Sequence, residues 1–249
     1  MSESLSKEES KKFLDKVTKD LFRPIVKHDG WSTAWLVFLI ILLAVAAYGW
    51  FIQLRDGLGV TAMRDYVSWG MYIANFVFFV AVSLIGSLIS SIMHLLKIEW
   101  SKPISRVAEQ VAIASIALAG IIIVTDMGRP DRVHHVIIFG RYASPILWDI
   151  TVITTYLAIS ALLIYLPMIP DIALLRDRLK NVPKWQQQLY KTLSLGWNGS
   201  PGQYKKVYHS MRVLMILIIP VALAIHTVTS WLFASTLRPG WDTTIFGPY

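Results

Sequence analysis

Five apolar runs, near residues 33–54, 68–96, 104–125, 145–168 and 211–235, are each long enough to cross the hydrocarbon core of a bilayer. About 20 apolar residues suffice for one helical crossing. Hydrophobic residues make up 55% and charged residues 16% of the 249 positions, more apolar surface than one soluble core of this length buries. The expected fold class is all-α integral membrane, with at least five transmembrane helices. The chain has no cysteine, so disulfides, thiolate-held metals and cysteine-ligated iron–sulfur clusters must lie on partners if they occur.

Residues 1–32 are charged and lack the order of segments that marks a signal peptide, so none is expected to be removed. Within them Ser6 and Glu9 form a capping-box pattern, and Phe13, Val17 and Leu21 recur every fourth residue, which predicts a short amphipathic helix at the membrane surface. Residues 33–249 form the transmembrane domain. Tryptophans 31, 35, 50, 69, 100, 148 and 231 lie near the proposed helix ends, as interfacial anchors do. The stretch 169–210, with Pro170, Pro183 and Pro201 and seven Lys and Arg residues, reads as a long surface connection with an interfacial helix near 172–192. Of the 24 Lys and Arg residues, 18 fall on the side of the N-terminus and six on the other. That asymmetry places the N-terminus in the cytoplasm and turns the loop 126–144 outward. The basic charge is thus a topology signal, and no nucleic-acid partner is expected.

Ionisable groups within a membrane usually pair, face the bundle interior or line a path for protons or ligand. At the outer boundary Asp126 ends segment three, and Trp148 and Asp149 begin segment four, with Arg129, Arg132 and Arg141 between them. A carboxylate there can accept a proton from a quinol hydroxyl. Equally, Gly128 and Pro130 read as an ordinary helix stop whose arginines fix the loop to the carboxylates. His226 lies beside Thr227, Thr229 and Ser230 in the outer half of segment five. It suits either a hydrogen bond to a quinone oxygen or one to a neighbouring helix. Tyr72 and Asn75, one turn apart, can complete a headgroup pocket or simply pack. Toward the inner side His94 and Glu109, with Ser90, Ser91 and Gln110, can begin a proton path or serve as paired surface groups. Tyr156 stands among Thr151, Thr154, Thr155 and Ser160, hydroxyls that order water or glue helices together.

Several stretches resemble the NrfD/PsrC-type membrane subunits of polysulfide reductases, alternative complex III and related respiratory assemblies. They are Trp69-Gly70, Asn75-Phe76-Val77-Phe78, Gly86-Ser87-Leu88-Ile89-Ser90, Arg106 with Ala108-Glu109, Gly128-Arg129-Pro130 and Ser144-Pro145-Ile146-Leu147-Trp148-Asp149. Tyr156, Ile169-Pro170-Asp171, Leu175-Arg176-Asp177, Leu195-Gly196-Trp197, His226-Thr227-Val228-Thr229-Ser230 and Arg238-Pro239-Gly240-Trp241 continue the match over residues 65–249. The resemblance implies a quinone-interacting subunit without haem or bound metal, taking menaquinone or ubiquinone. It would dock a ferredoxin-like iron–sulfur subunit at the outer face, with further respiratory subunits of molybdopterin or cytochrome c type as candidates. Asp126, Asp149 and His226 would exchange protons, and Tyr72, Asn75, Arg129 and Trp148 would hold the quinone. His94, Glu109 and Tyr156 would form a proton path. The chain would be a quinone-site subunit rather than a stand-alone enzyme.

The family is built from two four-helix bundles. Segments two to five would form the first, and the chain stops at Tyr249 where further helices are expected. Many members of the alternative complex III branch have a histidine where this chain has Leu84 and an acid near Leu232, so those two roles do not transfer. Two other classes compete. A haem b membrane anchor needs histidine pairs at matching depth, which His94, His226 and the adjacent His134 and His135 do not offer. A small-solute transporter needs helices broken at mid-membrane, and Pro220 is the one proline well inside a span.

Overall fold

The structure, a computed structural model, describes Lys16 and residues 30–63, 70–179 and 182–235. The amphipathic helix expected before residue 30 and the start of segment two at 68–69, Trp69 included, lie outside the described residues. Among those described there is no strand, and five helices are long and apolar enough to cross a membrane. The chain divides into two units, residues 1–55 and 56–249. Helix α1 (Gly30–Asp56) belongs to the first, and it carries no charged side chain before Arg55.

The second unit contains α2 (Met71–Leu95), α3 (Lys102–Asp126), the single turn α4 (His135–Ile138), α5 (Pro145–Arg178), α6 (Lys184–Leu193) and α7 (Pro201–Ala234). The four long helices pack in a ring, α2 on α3, α3 on α5, α5 on α7 and α7 on α2. Their shared core holds Phe76, Val80, Ile116, Tyr156, Leu163, Met215, Ile218 and Ile225. One end of this unit, the loop end, carries residues 127–144. The other, the basic end, carries Lys97, Arg106, Arg176, Arg178, Lys205, Lys206 and Arg212.

Small residues set the closest contact. Lipid gives apolar side chains no reason to leave it for one another, so membrane helices associate through close backbone approach and interhelical hydrogen bonds. On α2 Ser83, Gly86, Ser87 and Ser90 are buried, and on α3 Ala112, Ser115, Ile116 and Ala119 are buried. Ser83 donates its hydroxyl to the Ala112 carbonyl of α3 at 2.7 Å. Tyr156, fully buried on α5, donates to the Ser83 carbonyl at 2.8 Å and hydrogen-bonds the Ser87 hydroxyl. Replacing Tyr156 with Phe is expected to lower stability in detergent by about 1 kcal/mol, the usual worth of such a bond between membrane helices. Equilibrium unfolding of the full chain measures it.

The expected connection over 169–210 is much shorter than predicted. Helix α5 runs on to Arg178 through Pro167 and Pro170, α7 begins at Pro201, and only 179–200 joins them. A proline removes one helix hydrogen bond, but tertiary contacts hold this extension. Ile169 and Ala173 bury against Trp197. Tyr165 donates to the Leu193 carbonyl at 2.7 Å, and Arg176 donates to the Ser194 hydroxyl and the Trp197 carbonyl, each at 3.0 Å. The interfacial helix placed near 172–192 is therefore two pieces, the end of α5 and the short α6. The start of α7 has a readable cause: the Ser200 hydroxyl accepts from the Gln203 backbone amide at 3.4 Å, with Pro201 in the first turn.

Candidate functional site

The loop end brings together part of the expected constellation. Asp149 sits in the second turn of α5, only 5% exposed, and accepts a hydrogen bond from Thr229 of α7 at 2.9 Å. An apolar helix pair thus closes around one carboxylate, held by one hydroxyl and placed near the N-terminal, positive end of its own helix. Asp126 ends α3 at this same end, and its Oδ1 is buried without a hydrogen-bond partner among the described residues. Trp148 donates its indole N–H to the Tyr142 carbonyl at 2.6 Å and stacks edge-on with Trp231 at 6.0 Å. Its ring can therefore pack against a ligand, while its donor is committed.

The other expected residues are placed differently. Arg129 makes a two-pronged bond to Asp131, at 3.1 and 3.0 Å, rather than to Asp126 or Asp149. This hydrogen bonding holds the Asp131 carboxyl below the usual carboxylate range. The pair is exposed on the loop and fixes its turn. His226 is on the exposed flank of α7, whereas Thr229, nearly one turn on, faces Asp149. Along α2 Tyr72 is half-buried and Asn75 is exposed.

Toward the basic end Glu109 of α3, 7% exposed, accepts from Ser90 of α2 at 2.6 Å. Ser83, Ser87, Ser90 and His94 recur at spacings of four, three and four along α2, so Tyr156, Glu109 and the cleft at the helix end all meet one face. Sequence reasoning singled out Ser90, Glu109, His94 and Tyr156 but missed the parts Ser83 and Ser87 play. Their helical spacing was the available signal. Among the described residues, no three His, Cys, Asp or Glu side chains come together as metal ligands.

The family profile described as "Polysulphide reductase, NrfD" matches residues 59–249. The membrane subunit of a candidate dimethyl sulfoxide reductase of Halobacterium salinarum is 30% identical over 228 residues, covering 91% of this chain and 49% of that one. A selenate reductase subunit of Mesobacillus selenatarsenatis is 26% identical over 204 residues, 80% of this chain and 46% of its own. An Hdr-like menaquinol oxidoreductase integral membrane subunit of Archaeoglobus fulgidus is 27% identical over 140 residues, 55% of this chain and 35% of that one. The chain spans about half the length of the first two relatives.

Proposed function

Because the chain belongs to the NrfD polysulphide reductase family, we propose that it is the quinone-interacting membrane subunit of a respiratory oxidoreductase complex. In this reading it exchanges electrons with a partner iron–sulfur protein at the outer face of a prokaryotic cytoplasmic membrane. The names of its relatives, subunits of reductases and of a menaquinol oxidoreductase, support the class. The observation that carries the site is the buried Asp149, bonded to Thr229 at the loop end of a membrane bundle. A buried carboxylate in such a place is costly unless it has work to do.

The residues present fit a quinone headgroup. A quinol hydroxyl needs an acceptor, and the buried Asp126 Oδ1, without a hydrogen-bond partner among the described residues, offers one. When bound, the quinol supplies two electrons for the partner and two protons. Asp126 and Asp149 take up those protons, and Thr229 holds the Asp149 carboxylate in place. Trp148 lends an aromatic wall, with Tyr72 and Asn75 on α2, the neighbour of α3 and α7. His226 exchanges protons on the outer flank of α7, and Arg129 shapes the loop through Asp131. The excess of Lys and Arg at the basic end orients that end to the cytoplasm. A proton path from that side through His94, Glu109 and Tyr156 is favoured by the serines of α2 that hold two of the three.

The test is quinol turnover by the assembled complex carrying Asp126→Asn, Asp149→Asn or His226→Ala singly. Loss in the carboxylate variants supports the reading, and full activity in all three overturns it. For the proton path, Glu109→Gln should lower the protons released per electron in vesicles. An unchanged ratio removes that part alone.

A further inference from the structure

At the basic end a cleft of about 800 Å³ lies between the end of α2, the start of α3, and the walls of α5 and α7. Pro167, Met211 and Met215 give it apolar walls, and His94, Ser105 and Glu109 converge on it. A roomy apolar pocket with a few convergent polar groups is the usual form of a small-molecule site. Two features point to a ligand. The Ser105 hydroxyl is buried with no hydrogen-bond partner among the described residues. A buried hydroxyl left unsatisfied is destabilising, and a ligand oxygen would relieve that cost. The Glu109 carboxylate is 7% exposed, and Ser90 engages it at Oε1.

We propose that this cleft is a second binding site for a lipid-soluble quinone or quinol headgroup, at the opposite end from Asp126 and Asp149. It shares the ligand class of the proposed function but none of its loop-end residues. Ser105 donates to a ring oxygen of either form, Glu109 accepts from the other ring hydroxyl when the ligand is the quinol, and the two methionines, soft and adaptable, pack on the ring faces. Tyr208, whose ring lies 5.9 Å from that of His94, closes one side. A phospholipid phosphate is the poorer fit. Although Lys97 is at the wall, a phosphate would lie against the Glu109 carboxylate, and the Arg106 guanidinium is turned to Asp171 at 3.1 Å.

Photolabelling with an azido-naphthoquinone in native membranes, followed by peptide mapping of the full chain, separates the two sites. The expected result is labelling within 94–109 and 208–215 as well as at the loop end. A Glu109→Gln, Ser105→Ala double variant should lose about tenfold of the basic-end label, as the loss of a hydrogen bond to a charged group predicts, and keep the loop-end label. Label at the loop end alone in the unmodified chain would overturn the second site and leave the proposed function standing. Label at the basic end alone would do the reverse. Basic-end label of undiminished strength in the double variant would mean partition into an apolar surface and would also overturn the second site.

Discussion

Quinol turnover by the assembled complex is expected to fall about 100-fold when Asp149 is replaced by Asn, the low end of what a positioned proton acceptor contributes. Asn has nearly the volume of Asp, so the packing between α5 and α7 survives and the bond from Thr229 keeps an acceptor. What is lost is the charge and the capacity to take a proton. Thermal stability should therefore change little while turnover collapses. Thr229→Val should give a smaller loss of roughly tenfold, because it removes one hydrogen bond to a charged group and leaves the carboxylate. Equal turnover in Asp149→Asn and the unmodified complex would make the Asp149–Thr229 contact a helix fastener only.

Gly86→Leu is expected to cost about 3 kcal/mol, the upper part of the range for overpacking, and to lower sharply the amount of folded chain recovered in membranes. A Cβ at Gly86 would stand 2.8 Å from the Ala108 carbonyl oxygen and 3.2 Å from the Ala112 Cβ. The first of these is backbone, which cannot turn aside as a side chain can. Among the described residues the α2–α3 pair is the most extensive helix contact, so the two helices must separate along the Ser83–Ala112 bond. Gly120, on α3, provides the control, since a Cβ there would meet nothing within 4 Å. Ala at that position should be neutral or stabilising by up to about 1 kcal/mol, as in any helix interior. Unfolding of the purified chain in mixed micelles measures both, and a Gly86→Leu chain as stable as the parent would contradict the close approach.

These two predictions show what was legible in the sequence. The spanning helices followed from apolar length alone, since a bilayer tolerates few other arrangements for such runs. The positions of Asp126 and Asp149 at one end followed from counting crossings. The extension of α5 did not, because Pro170 read as part of a surface connection, and the contacts that override it, Arg176 on Ser194 and Trp197, are tertiary. The start of α7 was legible but passed over, in the Ser200-Pro201-Gly202-Gln203 cap. Side-chain facing was the harder part. His226, Thr227 and Thr229 are neighbours in sequence, but the helical turn of about 3.6 residues sends Thr229 to Asp149 and His226 to the exposed flank. Arg129 had three acidic candidates nearby, and only the geometry of the loop chooses Asp131. The cleft at the basic end needs four helices to form it, and no local pattern announces such a cavity.

The central proposal is that electrons pass between a quinone held by this chain and an iron–sulfur cluster held by a partner. Rapid mixing of menaquinol with the oxidised complex, followed by freeze-quench electron paramagnetic resonance of the partner cluster, tests it most directly. Reduction of the cluster in the intact complex, slowed about 100-fold by Asp149→Asn, is the predicted result. Reduction at the same rate in a complex stripped of this chain would contradict it.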